Sequence, residues 1–250
     1  MVSMGKQPES INVFSCSEMG IILPTYSESQ NISRLIDALE GLNIDLTILV
    51  IDDSSPDGTA EIVRQKQKEY TNIMLLIRPA KLGLGTAITD GFRFFLSIPH
   101  KPKYIVTMDA DFSHNPLELP RLLETISKAH CGIVIGSRYC KGGQIVGWPT
   151  TRKVISKTAN FIAKTSLRLK MLDCTSGFRC YSTEFLLQAI DNLHSHTYEI
   201  QIETVRQATL RNFIVRETPI VFINRKHGKS KLTLTEIRSY LTYTLKAILN

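Results

Sequence analysis

The sequence predicts an α/β fold, in which a Rossmann-like, mostly parallel sheet is flanked by helices. Short apolar runs typical of buried strands, at residues 20–23, 46–51, 72–77 and 104–108, alternate with segments of helical periodicity. Repeated strand–helix–strand units join through right-handed crossovers, which makes successive strands parallel. Each run is followed by polar residues, and ligands bind at the carboxyl edge of such sheets.

The helices between these strands follow from local patterns. Residues 27–30, Ser-Glu-Ser-Gln, resemble a capping box that opens a helix. The apolar face of this helix comprises Ile32, Leu35, Ile36 and Leu39. The second run is continuously apolar, as expected of a strand covered on both faces. We further predict helices at 60–69, from after Gly85 through Phe95, and at 117–129, 183–191 and 198–211. Two more strands are predicted at 132–136 and 219–223, and a turn-rich segment at 173–179.

Four polar clusters follow the first four strands and should share one edge of the sheet. They are 24–26, 52–53, Arg78 with Lys81, and Asp109 with Asp111. The Gly83-x-Gly85 pair does not indicate a dinucleotide-binding dehydrogenase. Ile88 occupies the third glycine position, and the loop follows the third strand instead of the first.

The spacing of Asp109 and Asp111 is typical of a metal clamp. In an extended segment, residues two apart point to the same side, so both carboxylates can face one cation. Their hard oxygens suit Mg²⁺ or Mn²⁺. A lone Asp-x-Asp is also common in solvated turns, so the accompanying motifs decide between the two interpretations.

The positive charge of the protein is concentrated in one segment. The net charge is +7, yet residues 138–172 contain eight Lys or Arg and no Asp or Glu. This cluster indicates an anionic partner, which could be a nucleic acid, an anionic membrane surface or a phosphorylated substrate.

Two amphipathic helices are predicted in the second half of the chain. From Thr151 onward, an apolar stripe is flanked by lysines and arginines, as in helices that lie on membranes; a surface helix packed on the core is the alternative. A basic loop at 224–231 precedes a last helix, which Thr233 and Glu236 would cap. The two stripes are Val154, Thr158, Phe161, Ile162, Thr165 and Leu169, and Leu234, Ile237, Leu241, Leu245 and Ile248.

Composition gives no sign of secretion or membrane insertion. No apolar run reaches the roughly 18 residues of a transmembrane helix, and no signal peptide is evident. The five cysteines are scattered without a Cys-x-x-Cys pair, so neither a zinc site nor a disulfide framework is indicated. We expect a cytosolic protein with reduced cysteines.

Six motifs in order give the chain a family resemblance. It resembles the inverting glycosyltransferases of family 2, which have the GT-A fold, and more closely the dolichol-phosphate (polyprenol-phosphate) mannose synthases. The motifs are Leu23-Pro24-Thr25-Tyr26-x-Glu28, Ile51-Asp52-Asp53-x-Ser55-x-Asp57-Gly58-Thr59, Lys81-x-Gly83-x-Gly85-Thr86-Ala87, Met108-Asp109-Ala110-Asp111-x-Ser113-His114, Gly136-Ser137-Arg138-Tyr139 and Ser176-Gly177-Phe178-Arg179. We expect a loose lead-in at 1–19, a catalytic domain at 20–232 with its acceptor- and membrane-facing segment at 138–172, and a C-terminal amphipathic helix at 233–250.

The resemblance implies a role for individual residues. The nucleotide of GDP-mannose would be held by Pro24, Tyr26, Glu28, Ile51 and Asp53. Met108, Asp109, Ala110 and Asp111 would contact the donor and the Mg²⁺ or Mn²⁺ ion, with Asp109 and Asp111 as metal ligands. Arg138, Arg225 and Lys231 would bind the donor, Arg152 and Ser156 the acceptor phosphate, and Asp111 and Arg138 would be catalytic. Some relatives have a glutamine where this chain has Ser113, which leaves a third protein contact to the metal in doubt.

The implied acceptor is a dolichyl or polyprenyl phosphate in a membrane, with small membrane-anchoring subunits as possible partners. The enzyme would be peripheral on the cytoplasmic face. A phosphate monoester is already an anionic nucleophile at neutral pH, so no strong general base is needed. Direct attack on an α-linked donor gives a β-linked product.

Two other functions are compatible with parts of the sequence. The same fold could use UDP-glucose or another nucleotide sugar with a polyprenyl phosphate. A nucleic-acid-binding protein would explain the basic segment but not the acidic pairs at 52–53 and 109–111, which would repel phosphate without a metal. We therefore expect no nucleic-acid partner, and the intact motifs argue against a pseudoenzyme.

Overall fold

The structure is a computed structural model that describes residues 17–225 and 242–244. The strands are β1 (Met19–Thr25), β2 (Leu46–Asp52), β3 (Ile73–Ile77), β4 (Tyr104–Thr107), β5 (Ile133–Ser137), β6 (Gln144–Val146), β7 (Arg179–Ser182), β8 (Val215–Pro219) and β9 (Val221–Ile223). The helices are α1 (Ile32–Glu40), α2 (Thr59–Glu69), α3 (Leu84–Ser97), α4 (Leu119–Ala129), α5 (Thr150–Ser166), α6 (Thr183–Ala189) and α7 (Ile200–Leu210), with 3₁₀ turns at Pro116–Glu118 and Ile190–Asn192.

A seven-stranded sheet organises the molecule, in the order β3-β2-β1-β4-β7-β5-β8. All neighbouring strands pair in parallel except β7, which is antiparallel to both β4 and β5. β6 and β9 form a separate two-stranded parallel sheet. The predicted α/β fold with a mostly parallel sheet is confirmed.

Alternate side chains of the buried strands supply two cores, one on each face of the sheet. Ile21 and Leu23 of β1 pack with α1, α2 and α4, whereas Ile22 packs on the opposite face with α3, α6 and α7. This two-sided burial explains why these strands are continuously apolar. It also fixes the sheet between two helical layers, so that its carboxyl edge is free to form a site.

Two local predictions were wrong. The expected capping box does not form, because α1 begins at Ile32 with Asn31 as its N-cap and no capping side chain. The backbone amides of residues 27–29 instead bind side chains of the 55–59 loop. The strand predicted at 219–223 is two strands in different sheets, and the turn-rich segment at 173–179 leads into β7. Ile220 is buried at the break, and its amide bonds to the Ser137 carbonyl.

The apolar stripe of α5 is largely exposed, which disfavours the alternative of a surface helix that packs this stripe on the core. Val154 is 56% exposed and Phe161 is 68% exposed, while the residues of α5 that are buried are Asn160 and Ala163. Periodicity identified the helix but not the face that packs. No helix among residues 17–225 and 242–244 is both long and apolar enough to cross a membrane.

Several predictions fall partly outside the described residues. β1 already begins at Met19, within the expected lead-in, and residues 1–16 are not described. Lys231, the 226–231 part of the basic loop and the cap of the C-terminal helix also lie outside, although residues 242–244 are helical.

Candidate active site

A pocket of about 110 Å³ lies at the carboxyl ends of β1, β2 and β4. Residues that the sequence places far apart therefore meet at the expected edge. It is lined by Pro24, Tyr26, Glu28, Asp53, Lys81, Asp109, Ala110, Asp111, Tyr198 and Arg225, among others. Ile51 and Met108 do not line it, because their side chains are buried in the two cores. Any contact from these two residues to a nucleotide would come from the backbone.

The carboxylate of Asp53 is held by the protein itself. Arg78 Nε donates to Oδ1 at 2.5 Å, and the amides of Leu82 and Gly83 donate to Oδ2 at 3.2 Å each. Arg78 also donates to the Gly83 carbonyl at 2.9 Å and to Thr86 Oγ1 at 2.8 Å. Asp53 thus shapes the loop that closes the pocket, in addition to any contact with a nucleotide. Arg78 was predicted only as part of a polar cluster with Lys81, without this bond to Asp53.

A second loop, at residues 194–198, was not predicted to reach the pocket. The amide of Gly85 donates to the His196 carbonyl at 3.0 Å, and a Cβ on Gly85 would clash with backbone atoms of residues 195–197. Two buried carboxylates hold the loop in place. Glu203 accepts hydrogen bonds from the amides of residues 194 and 195, and Glu199 accepts hydrogen bonds from those of residues 196 and 197. The loop brings Tyr198 to the rim of the pocket.

Asp109 and Asp111 line the same pocket but differ in environment. The side chain of Asp109 is 38% exposed and that of Asp111 only 5%. Asp111 accepts the Ser113 amide at 3.0 Å and lies 3.2 Å from Arg225 Nη2. Burial alone would raise the pKa of Asp111, but the Ser113 hydrogen bond and the Arg225 charge outweigh it and lower the pKa. Asp111 is therefore ionised at neutral pH.

These two carboxylates fit a divalent cation. Both offer hard oxygens to one pocket, and the carboxylate of Asp109 is partly exposed there. Among residues 17–225 and 242–244, no group of three or more His, Cys, Asp or Glu side chains could hold a metal ion. The aspartates would thus share the cation with oxygens of substrate phosphates and water, as Mg²⁺ sites commonly do.

A larger groove of about 540 Å³ adjoins the pocket. Leu84, Asp109, Tyr198 and Arg225 line both cavities, so the two are continuous. One wall consists of α5, which contributes mainly small and apolar side chains together with Arg152 and Ser156. Those side chains are Thr151, Val154, Ile155, Thr158, Ala159 and Ile162. The groove is thus polar at the end near Asp109 and apolar along α5.

Arg138 is anchored at the polar end by a buried carboxylate. Its Nε and Nη2 each donate to Asp173 at 2.7 Å, and Nη2 also donates to Thr175 at 2.7 Å. Burial alone would lower the pKa of Arg138, but Asp173 outweighs it and raises the pKa. Nη1 is the remaining terminal nitrogen, and Arg138 lines the groove. Asp173 was not predicted as a site residue, since 35 positions separate it from Arg138.

Arg152 lies beside the same cluster without a carboxylate partner in the described residues. Its guanidinium stacks 4.1 Å from the centre of the Trp148 ring and donates to Asn224 at 3.2 Å. Burial, and then the positive charges of Arg225 and Arg138, lower the pKa of Arg152. The polar end of the groove therefore holds three guanidinium groups that repel one another, and an anion bound there would relieve the repulsion.

His114, which belongs to the Asp109 motif, is buried beside this cluster. Its Nδ1 accepts the backbone amide of Asp109 at 3.2 Å. Burial lowers the pKa of His114 despite the nearby aspartates, so the ring is neutral at pH 7.

Comparison with known proteins agrees with this geometry. Residues 20–188 match the sequence profile of glycosyl transferase family 2. The undecaprenyl-phosphate mannosyltransferase of Micrococcus luteus is 39% identical over 214 residues, covering 85% of this chain and 86% of that protein. The polyprenol monophosphomannose synthase of Mycolicibacterium smegmatis is 37% identical over 223 residues, covering 87% and 82%.

Solved structures with little sequence identity share the fold. Glucosyl-3-phosphoglycerate synthase from Mycobacterium tuberculosis, in complex with Mn²⁺, uridine diphosphate and glucosyl-3-phosphoglycerate, superposes with a TM-score of 0.64 at 18% identity. The alignment covers 93% of this chain and 79% of that one. The fold, the matched profile and the two relatives agree, and the chain belongs to glycosyl transferase family 2.

Proposed function

We propose that this family 2 glycosyltransferase transfers mannose from GDP-mannose to the phosphate of a dolichyl or other polyprenyl phosphate, with inversion at the sugar. Two relatives of 39% and 37% identity are named for mannosyl transfer to undecaprenyl phosphate and for polyprenol monophosphomannose synthesis. The observation that carries the proposal is the groove. It joins a cluster of three guanidinium groups to an apolar wall, which matches a phosphate on a long hydrocarbon chain.

The 110 Å³ pocket is suited to the sugar donor, and we call it the donor pocket. Pro24, Tyr26, Glu28 and Asp53 would surround the nucleotide. Asp109 and Asp111 would hold Mg²⁺ or Mn²⁺, which neutralises the diphosphate as it leaves. Arg225 lines both cavities, so it is positioned to offset negative charge on the leaving group while the acceptor attacks. Lys231 would join it from outside the described residues.

The acceptor phosphate needs positioning more than activation. Its oxygen is anionic at neutral pH, so Arg138 and Arg152 need only hold it in line with the donor sugar carbon. Ser156, which lines the groove one helical turn from Arg152, would contribute a hydroxyl. Attack from the groove side, opposite the departing diphosphate, inverts the anomeric centre and gives a β-linked product.

Membrane contact would occur through α5. Val154, Ile155 and Phe161 are all more than half exposed, and Lys157 beside them is also exposed. Apolar side chains flanked by lysines suit an anionic bilayer surface. In this proposal residues 20–232 are the catalytic domain, 138–172 face the acceptor on the cytoplasmic leaflet, and 233–250 or small anchoring subunits add attachment.

A transfer assay with different sugar donors and metal ions tests the proposal. Purified protein is mixed with GDP-mannose or UDP-glucose and a short polyprenyl phosphate, with Mg²⁺, Mn²⁺ or EDTA. We expect a mannosyl phosphate product with GDP-mannose that EDTA prevents. Transfer only from UDP-glucose would assign the other donor, and absence of any lipid product would refute the acceptor.

A further inference from the structure

His114 sits in a fixed position between the metal-site aspartates and the groove. The side chain is 1% exposed. Its ring stacks on Phe178 with centroids 5.3 Å apart and meets the edge of Phe222 at the same distance. Two aromatic contacts on different sides leave the imidazole little freedom to rotate, so the direction of each ring nitrogen is set by packing.

The hydrogen bond to Nδ1 determines which nitrogen carries the proton. The amide of Asp109 donates to Nδ1 at 3.2 Å, and a nitrogen that accepts such a bond holds a lone pair and no hydrogen. A ring that has no hydrogen on Nδ1 carries its hydrogen on Nε2. His114 is therefore a hydrogen-bond donor on the side away from the Asp109 backbone.

That donor belongs to the groove. His114 lines the groove together with Arg138, Arg152 and Arg225, and it does not line the donor pocket. Among residues 17–225 and 242–244, the hydrogen bond that the His114 ring forms is the one that Nδ1 accepts from Asp109. An N–H donor beside three guanidinium groups suits an anionic oxygen, which those groups also attract.

We propose that the Nε2–H of His114 donates a hydrogen bond to a non-reacting oxygen of the acceptor phosphate. The inference rests on the proposed function and adds a fourth contact to those of Arg138, Arg152 and Ser156. A neutral donor has a specific use here, because a fourth cation would pair with the carboxylate of Asp109, whose Oδ2 is 3.9 Å from Nδ1. A neutral N–H can bind the phosphate without competing for the metal ligands.

Two substitutions separate the two nitrogens. His114→Asn keeps an oxygen near the position of Nδ1 and removes the donor at Nε2. His114→Gln places an amide N–H near the position of Nε2 and loses the acceptor for the Asp109 amide. Initial rates with a short polyprenyl phosphate and calorimetry with GDP and Mn²⁺ give the acceptor KM and the donor-side Kd for each variant.

We expect His114→Asn to raise the acceptor KM by about tenfold, the loss expected for one hydrogen bond to a charged group, with the Kd of GDP and Mn²⁺ nearly unchanged. His114→Gln should restore most of the acceptor KM. An unchanged acceptor KM in His114→Asn would overturn the proposal. Equal losses of acceptor KM and GDP affinity in both variants would also overturn it, since the ring would then act only through packing.

A measurement on the unmodified protein covers the case in which the variants fold poorly. In ¹⁵N-histidine-labelled protein, the Nε2–H resonance of His114 should shift when a short polyprenyl phosphate is added and not when GDP alone is added. No shift at saturating acceptor would refute the role of His114. This titration does not depend on which sugar is transferred, so it separates a failure of this inference from a failure of the proposed donor.

Discussion

Replacing Arg152 with methionine isolates the charge that the acceptor is proposed to need. Methionine keeps a long side chain against Trp148 and removes the guanidinium. A hydrogen bond to a charged group contributes roughly 1.5–3 kcal/mol, so kcat/KM for the acceptor should fall roughly 10- to 150-fold. Burial and two neighbouring arginines already disfavour the charged form of Arg152. Stability should therefore be preserved, with Tm within about 3 °C, the shift that about 1 kcal/mol causes in a chain of this size.

The assay uses a short polyprenyl phosphate in detergent at saturating GDP-mannose, so that membrane docking does not contribute. Lys157→Met is the matched control, because Lys157 is an exposed cation on the same helix that does not line the groove. The control should retain full activity. The reasoning is wrong if Arg152→Met keeps kcat/KM within about threefold of the parent. It is also wrong if the substitution weakens GDP affinity by the same factor as acceptor turnover, because Arg152 would then act on the donor.

Four further outcomes follow from the same geometry. Asp111→Asn should reduce transfer far more than tenfold, roughly 1.4 kcal/mol in barrier, with the fold retained; activity within tenfold of the parent would contradict the metal assignment. Asp53→Asn should weaken GDP binding at least about tenfold in calorimetry, because it loosens the loop over the pocket, and an unchanged Kd would exclude that role. Lys157→Glu with Lys164→Glu should reduce sedimentation with anionic liposomes, at about 1 kcal/mol per charge and less at high salt, while turnover of the short acceptor stays constant; parental sedimentation would place the membrane contact elsewhere. Burial alone would raise the pKa of Asp173, but Arg138 outweighs burial and lowers this pKa below the unfolded value of about 3.9. The ionised Asp173 therefore stabilises the fold above that pH, and this stabilisation is lost as the pH falls through the pKa of the folded state. When Tm is measured against pH, the Tm of Asp173→Asn should fall less steeply in acid than the Tm of the parent. The same fall in both proteins would exclude this contribution.

The parallel part of the sheet was predictable because its signals are local. Each buried strand is a continuous apolar run, and each is followed by the polar residues that form the pocket. Right-handed crossovers then place Tyr26, Asp53 and Asp109 at one edge without knowledge of any long-range contact. This explains why the strand ends were located correctly while the capping box predicted for α1 was not found.

The partners that hold the site in place could not be found in this way. Arg138 and Asp173 are 35 positions apart, and Arg78 and Asp53 are 25 apart. Each pair forms only because β7 enters the sheet antiparallel or because neighbouring loops meet at its edge. Charge patterns along the chain do not reveal such pairs, since any of the many carboxylates could have been the partner.

The exposure of the apolar face of α5 has a physical explanation that also bears on function. Apolar periodicity predicts which residues avoid water, but it does not say whether the core, a lipid or a substrate covers them. α5 is attached to the domain by a polar residue: Asn160 accepts the Cys174 amide at 2.6 Å and donates to Thr175 at 3.0 Å. Thr175 in turn bonds to Arg138 at 2.7 Å. Because one buried asparagine anchors the helix to the turn that orients Arg138, the apolar side chains of α5 are left to line the groove and to face outward, where a hydrocarbon chain and a bilayer would meet them.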